Sequence, residues 1–113
     1  MKHVDSLGVA GSVEWTGRSG RHYWLLPSTP SDLHVADDSI CLLTAMTEGG
    51  EKVVWSGTAQ TLIAEPASRN LFRAALKRAA TGYSMRAPSD EVDRMTILWD
   101  LESASRLSVA SAA

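Results

Sequence analysis

The sequence predicts a small α/β (α+β) domain: a mixed or antiparallel sheet of about five strands with two or three helices packed on it. Three observations carry this. First, Ser39-Ile40-Cys41-Leu42-Leu43-Thr44 and Val53-Val54-Trp55-Ser56-Gly57 flank a polar loop holding Gly49-Gly50. Gly-Gly between β-rich runs is a hairpin signal, because glycine tolerates positive φ. Second, the first run is nearly continuous in apolar residues, which suits a strand covered on both faces and puts the hairpin in the middle of the sheet. Third, residues 67–80 carry Phe72, Ala75, Leu76 and Ala79 at helical spacing, the stripe of a helix with one buried side.

The remaining elements follow in chain order. Residues 1–11 are polar and broken by Gly8 and Gly11, a loose lead-in. Residues 12–16 alternate, with Val13 and Trp15 on one face; Gly17-Arg18-Ser19-Gly20 is a turn, and 21–26 is a second strand ending at Pro27. Pro27 and Pro30 are expected to stop strand pairing, since proline donates nothing to a ladder. A polar crossing over 28–39 follows, with a short helical turn after Ser31-Asp32. After the central hairpin, at 39–46 and 52–58, residues 59–65 suit one helical turn, and Pro66 opens the 67–80 helix at its first position. Gly82 is expected as the C-cap of that helix and 83–86 as a short strand, ended by Pro88.

Ser89 is expected as an N-cap, with Asp90 and Glu91 favourable to the helix dipole. The stretch beyond supports two readings. Met95, Ile97, Trp99 and Leu101 alternate as in a strand, whereas Val92, Met95 and Trp99, with Leu98 and Leu101, fit a helix. The cap and the length favour a helix over 90–106. Residues 1–107 then form a single domain, without repeat or linker, and the small-residue stretch 108–113 a disordered tail.

A chain of 113 residues fits one domain and buries roughly two-thirds of its unfolded surface, enough for a core without metal or disulfide. The formal net charge of -2 gives no global field for nucleic acid or anionic membrane, so such binding needs a local basic patch. Cys41 is the only cysteine, which excludes an intrachain disulfide and fits a reducing compartment. The first ten residues hold no apolar core of signal-peptide length, and no apolar run reaches about 18 residues. The expectation is a soluble cytoplasmic protein with no membrane partner.

Candidate chemistry is sparse. His3, His22 and His34 are far apart and lack metal-ligand spacing. Cys41, inside an apolar strand, reads as an inert small hydrophobe. Asp37-Asp38 and Asp90-Glu91 are acid pairs of a kind that can hold Mg²⁺, but the first precedes a strand and the second is explained by capping. Gly17-Arg18-Ser19-Gly20 lacks the lysine and helix of a phosphate-binding loop. Arg69, Arg73 and Lys77 lie four apart, with Arg78 and Arg86 nearby; they form either a track for a phosphate backbone or a solvated outer face. Four tryptophans, at 15, 24, 55 and 99, are expected mostly in the core, and an exposed one would mark a contact surface.

The order hairpin, hairpin, helix, strand, helix resembles a GIY-YIG domain with an extra N-terminal hairpin. It is most similar to small bacterial GIY-YIG-like proteins opening with Gly-x-Val-Glu-(aromatic)-Thr-Gly-x-Ser-Gly, here Gly11-Ser12-Val13-Glu14-Trp15-Thr16-Gly17-Arg18-Ser19-Gly20, followed by Tyr23-Trp24. The resemblance spans roughly residues 11–104. It implies that Ser39-Ile40-Cys41 stands for Gly-Ile-Tyr and Trp55-Ser56-Gly57 for Tyr-Ile-Gly, so that only Ile40 and Gly57 survive. It further implies Leu62 at a family leucine, Glu65 at the catalytic arginine, and, from Asp100-Leu101, Leu98 at the metal-binding glutamate.

Those substitutions remove the chemistry the resemblance would bring. Neither Cys41 nor Trp55 carries a phenol, Glu65 repels a phosphate, and Leu98 cannot ligate a hard cation. Losing one group that stabilises transition-state charge costs orders of magnitude in rate. The expectation is a non-enzyme without cofactor or metal: a GIY-YIG-like pseudo-nuclease that binds a macromolecular partner, a protein or another copy of itself. The alternative is a nucleic-acid-binding adaptor using Arg69, Arg73, Lys77, Arg78 and Arg86. A hydrolase of another type would require a deep pocket with convergent polar groups.

Overall fold

Strands β3 (Ser39–Thr47) and β4 (Gly50–Gly57) form the hairpin that the sequence predicts. The computed structural model describes residues 11–106. Before β3 come β1 (Val13–Thr16) and β2 (His22–Ser28); after β4 come α1 (Ala59–Ala64), α2 (Pro66–Leu76), β5 (Thr81–Arg86), α3 (Glu91–Leu101) and β6 (Ser105–Arg106). All ladders are antiparallel, in the order β1-β2-β5-β3-β4-β6, and the sheet closes into a barrel. Five curled strands make up most of it. The two-residue β6 closes it, pairing Ser105 with Thr16 and Arg106 with Glu51. As expected, β3 is interior to the sheet, between β5 and β4.

Both faces of β3 are buried, as its unbroken apolar run requires. Ile40 and Leu42 point into the barrel, where they pack with Trp15, Tyr23, Leu25, Tyr83, Ile97, Leu101 and Ala104. Cys41 and Leu43 point outward into a second core with Trp55 and Ala75, flanked by Leu62 and Phe72. The layers thus divide by the strand's period of two. In β4 the pairing shifts from Leu43↔Trp55 to Thr44↔Val53, leaving Val54 as a bulge. The extra residue lets Val54 and Trp55 both join the outer core while Val53 packs against the inner one.

Several boundaries differ from expectation. Thr47 pairs with Gly50, so the hairpin loop is only Glu48-Gly49, and of the two glycines Gly50 alone has positive φ, +118°. Pro27 does not stop β2: it pairs with Tyr83, beyond Leu25 where the ladder to β1 has ended and no partner needs its missing donor. The helical turn in the crossing is Pro30–Asp32, capped by Thr29. Helix α2 stops at Leu76 with Lys77 as C-cap; Gly82 is no cap but a residue of β5, opposite Ser28 and Leu43. The N-cap of α3 is Asp90, not Ser89; its carboxylate accepts from the Asp93 N–H at 3.0 Å. That helix ends at Leu101, short of 106, because residues 105–106 are needed as the closing strand. The lead-in over 1–10, His3 and the tail at 108–113 lie outside the described residues.

Two buried carboxylates tie the barrel together. Asp100 of α3 accepts from the Ser19 N–H, the Ser19 hydroxyl and the Tyr23 hydroxyl, each at 2.7 Å. Gly17 is obligatory beside it, since a Cβ there would stand 2.4 Å from the Asp100 carboxyl carbon. The Gly17–Gly20 turn is therefore the clasp that holds α3 against the β1–β2 hairpin. Glu51 of β4 accepts from the Thr44 hydroxyl at 2.5 Å, the Tyr83 hydroxyl at 2.8 Å and the Arg106 guanidinium at 3.1 Å.

Candidate functional site

A groove of about 540 Å³ runs between α2 and α3 over β4. Trp55 forms part of its wall. The ring is buried, donates from Nε1 to the Ser68 hydroxyl at 3.3 Å, and meets Phe72 edge-on at 4.7 Å between centroids. Gly57 lies directly under that ring: a Cβ there would come within 2.6 Å of it. Glu65, exposed at the α1–α2 junction, and Leu98 of α3 complete the set on the two banks. Four of the six positions named from the resemblance, Trp55, Gly57, Glu65 and Leu98, therefore line one groove. Cys41 sits behind it, opposite Gly57 in the ladder, and Ile40 faces the barrel interior, away from it. Burial pushes the Cys41 thiol up to about 11, which leaves it protonated and unreactive at neutral pH.

The rim of the groove is apolar and open. Met95 is 61% exposed, Leu71 62% and Trp99 50%, and all three line it. Val92, 68% exposed, continues the ridge along α3 at the spacing i, i+3, i+7. Arg18 stacks on the Trp99 ring at 4.2 Å and donates to Glu102 at 2.9 Å and to the Ser103 hydroxyl at 2.7 Å, which fixes the indole from one side. The exposed tryptophan is thus Trp99; Trp15 and Trp55 are buried and Trp24 is partly so. α3 carries two apolar stripes, Ile97-Leu101 and Val92-Met95-Trp99, and one helix can turn only one of them inward. The sequence places both sets of residues on the helix it favours, but it does not say which of them faces inward.

The five cations do not form one surface. Arg69 donates to the carbonyls of Leu62 and Ile63 at 2.8 and 3.0 Å, satisfying the open end of α1. Arg73 reaches Asn70 at 3.5 Å, and Lys77 and Arg78 stand exposed past the end of α2. Arg86 is at the other end of β5, about 16 Å along the strand from Thr81. There it lines an open cleft of about 930 Å³ at the barrel mouth with Arg21, Arg94, Asp37, Asp38 and Asp93. Three cations and three anions cancel in that cleft, and Arg94 is committed to the carbonyls of Pro88 and Ser89 at 3.1 and 2.6 Å. His22 lies on the barrel surface beside Glu14 at 2.5 Å. Among the described residues no group of three or more His, Cys, Asp or Glu side chains is placed to hold a metal, and no helix is long and apolar enough to cross a membrane.

No known protein-family model, curated protein or solved structure matches this chain.

Proposed function

We propose that this chain is a non-catalytic protein-interaction module, GIY-YIG-like in its core, whose working surface is the groove between α2 and α3. The observation that carries this reading is the ridge of Val92, Met95 and Trp99, with Leu71 across the groove, left in water by a chain that has two buried cores available. Contiguous exposed apolar side chains beside a groove are the usual mark of a protein contact. The non-catalytic part is supported by the residues at the resembled positions. A buried protonated thiol, a buried indole, a lone exposed glutamate and a leucine supply neither a proton relay nor a charge clamp.

The test is site-directed photo-cross-linking in the host cells. A photoreactive residue at position 95 is expected to give a discrete protein adduct that Leu71→Asp removes, while the same group at exposed Met46 gives none. Equal labelling from both positions would sink the reading. The purified chain with Mg²⁺ is expected to leave DNA and RNA uncut, and cleavage would overturn the non-catalytic assignment.

A further inference from the structure

The identity of the occupant can be taken further, resting on the reading of this groove as a docking surface. Charge narrows the choice. The ionisable side chains lining the groove are Glu65 and Glu102, and Glu91 stands one turn before Met95 on α3. The nearest cations are already engaged: Arg18 with Glu102, Ser103 and the Trp99 ring, and Arg94 with two carbonyls. An apolar ridge edged by acids suits an apolar helix edged by cations.

The chain itself carries such a helix. On α2, Ala67, Leu71 and Ala74 are exposed at i, i+4, i+7, and Arg73, Lys77 and Arg78 are exposed beside and beyond them. No residue of α2 is acidic, and among the described residues none of those three cations is in an ion pair. The same helix is one bank of the groove. An acid-edged helix and a base-edged helix therefore lie side by side on one surface, the arrangement that a two-fold axis makes self-complementary.

We infer that the occupant is a second copy of this chain. In this two-fold dimer α2 of each protomer packs on α3 of the other. Leu71, Met95 and Trp99 lie at the centre, and Arg73, Lys77 and Arg78 face Glu65, Glu91 and Glu102 at the edges. The desolvated apolar centre supplies affinity, and the charge pattern fixes which helix meets which.

Sedimentation of the full chain over a wide micromolar range tests this. Wild type is expected to shift from monomer to dimer with concentration. Glu65→Lys with Glu91→Lys reverses two of the three acids at the groove edge, and Lys77→Glu with Arg78→Glu reverses two of the three cations expected to face them. Each double variant, checked for native circular dichroism, is expected to raise the dissociation constant at least about tenfold. An equimolar mixture of the two is expected to restore a one-to-one dimer, because each then offers what the other lacks. A wild type that stays monomeric, or variants that dimerise unimpaired, would overturn the inference. The docking reading fails separately. A monomeric wild type that still gives the Leu71-dependent adduct at position 95 keeps the surface and removes the second copy as its occupant; a monomer with no adduct removes both.

Discussion

Asp100 and Glu51 solve the same problem with different materials. Each is a buried carboxylate in contact with a buried tyrosine, Tyr23 for Asp100 and Tyr83 for Glu51. Asp100 takes its remaining hydrogen bonds from one residue of a tight turn, and among the described residues no cation pairs with it. Glu51 takes its own from three strands, including the guanidinium of Arg106 on the closing strand β6. The first is a local clasp between a helix and a hairpin, built from neutral donors. The second is a long-range pin that depends on a charge. Neutral donors resist salt, and a partly exposed ion pair does not.

The sharpest way to break the comparison is to remove each carboxylate. Asp100→Ala leaves the Ser19 N–H, the Ser19 hydroxyl and the Tyr23 hydroxyl without acceptors and is expected to cost about 3–5 kcal/mol in urea denaturation. Glu51→Ala is expected to cost about 2–3 kcal/mol, because the Arg106 side chain, 28% exposed, can recover water. The reverse ranking would mean that barrel closure, not the clasp, dominates stability. Gly17→Ala sharpens the same point. In the wild type its methyl collides with the Asp100 carboxylate and is expected to cost about 2–3 kcal/mol; in the Asp100→Ala background the collision is gone and the cost falls below about 1 kcal/mol. Additive costs would show that the contact is not the cause.

Titration separates the two sites next. The hydroxyls of Tyr23 and Tyr83 are both pushed from 10.0 to about 12, by burial first and then by the hydrogen bond and charge of the carboxylate each one serves. A folded-state value above the unfolded one stabilises the fold fully below pH 10, and that contribution is lost as pH climbs towards about 12. Asp100 behaves oppositely. Burial alone would raise it, but the hydrogen bonds from Tyr23 and from the Ser19 N–H and hydroxyl, together with the charge of Arg21, hold it below its ordinary 3.8. Its contribution is present above pH 3.8 and is lost as pH falls through the lower folded value. Tyrosinate absorbance should therefore show one of two late-titrating tyrosines moving earlier in Asp100→Ala and the other in Glu51→Ala. Asp100→Ala should flatten the acid limb of stability. If both tyrosines move in both variants, the two sites are coupled through Trp15, which is edge-on to Tyr83 at 5.3 Å and pairs with Tyr23 in the β1–β2 ladder.

The outer architecture was legible in the sequence because it rests on local rules. The apolar run over Ser39-Thr44 gave a strand buried on both faces, Pro66 opened α2 where the rule for a first helical position puts it, and the Gly17–Gly20 turn folded as a turn. What escaped depends on distance in the chain. Asp100 drew attention only as half of an Asp-Leu pair, yet its partners are 77 and 81 residues away. Glu51 falls in the loop between the expected strands at 39–46 and 52–58, because nothing local says that Arg106 returns to close a barrel beside it. Of the candidate site, the positions Trp55, Gly57, Glu65 and Leu98 were named and do share a groove. The exposed ridge is not legible, because a helix with two apolar stripes announces neither which one faces in nor what the other is for. The basic stripe failed for a related reason: side-chain spacing does not reveal that Arg69 is occupied by the carbonyl end of a neighbouring helix.

The smallest expected effect concerns the charge itself. Arg106→Met keeps an apolar stem near Trp15 and removes the ion pair with Glu51 together with the distant guanidinium contact over the Trp15 ring at 5.6 Å. With one partner 28% exposed, the loss should be about 1 kcal/mol in dilute buffer, far from the cost of a fully buried unpaired charge. The Thr44 and Tyr83 hydroxyls remain on the carboxylate and limit the damage. In wild type, added sodium chloride should erode about that same increment, while Arg106→Met should be nearly indifferent to it. Hydrogen exchange should report the change where β6 meets its neighbours, at Thr16 and Lys52, and leave the β1–β2 turn untouched. Exchange that rose equally at Ser19 would make the clasp and the closure one cooperative unit. The contrast between a neutral and a charged solution would then describe their chemistry but not their stability.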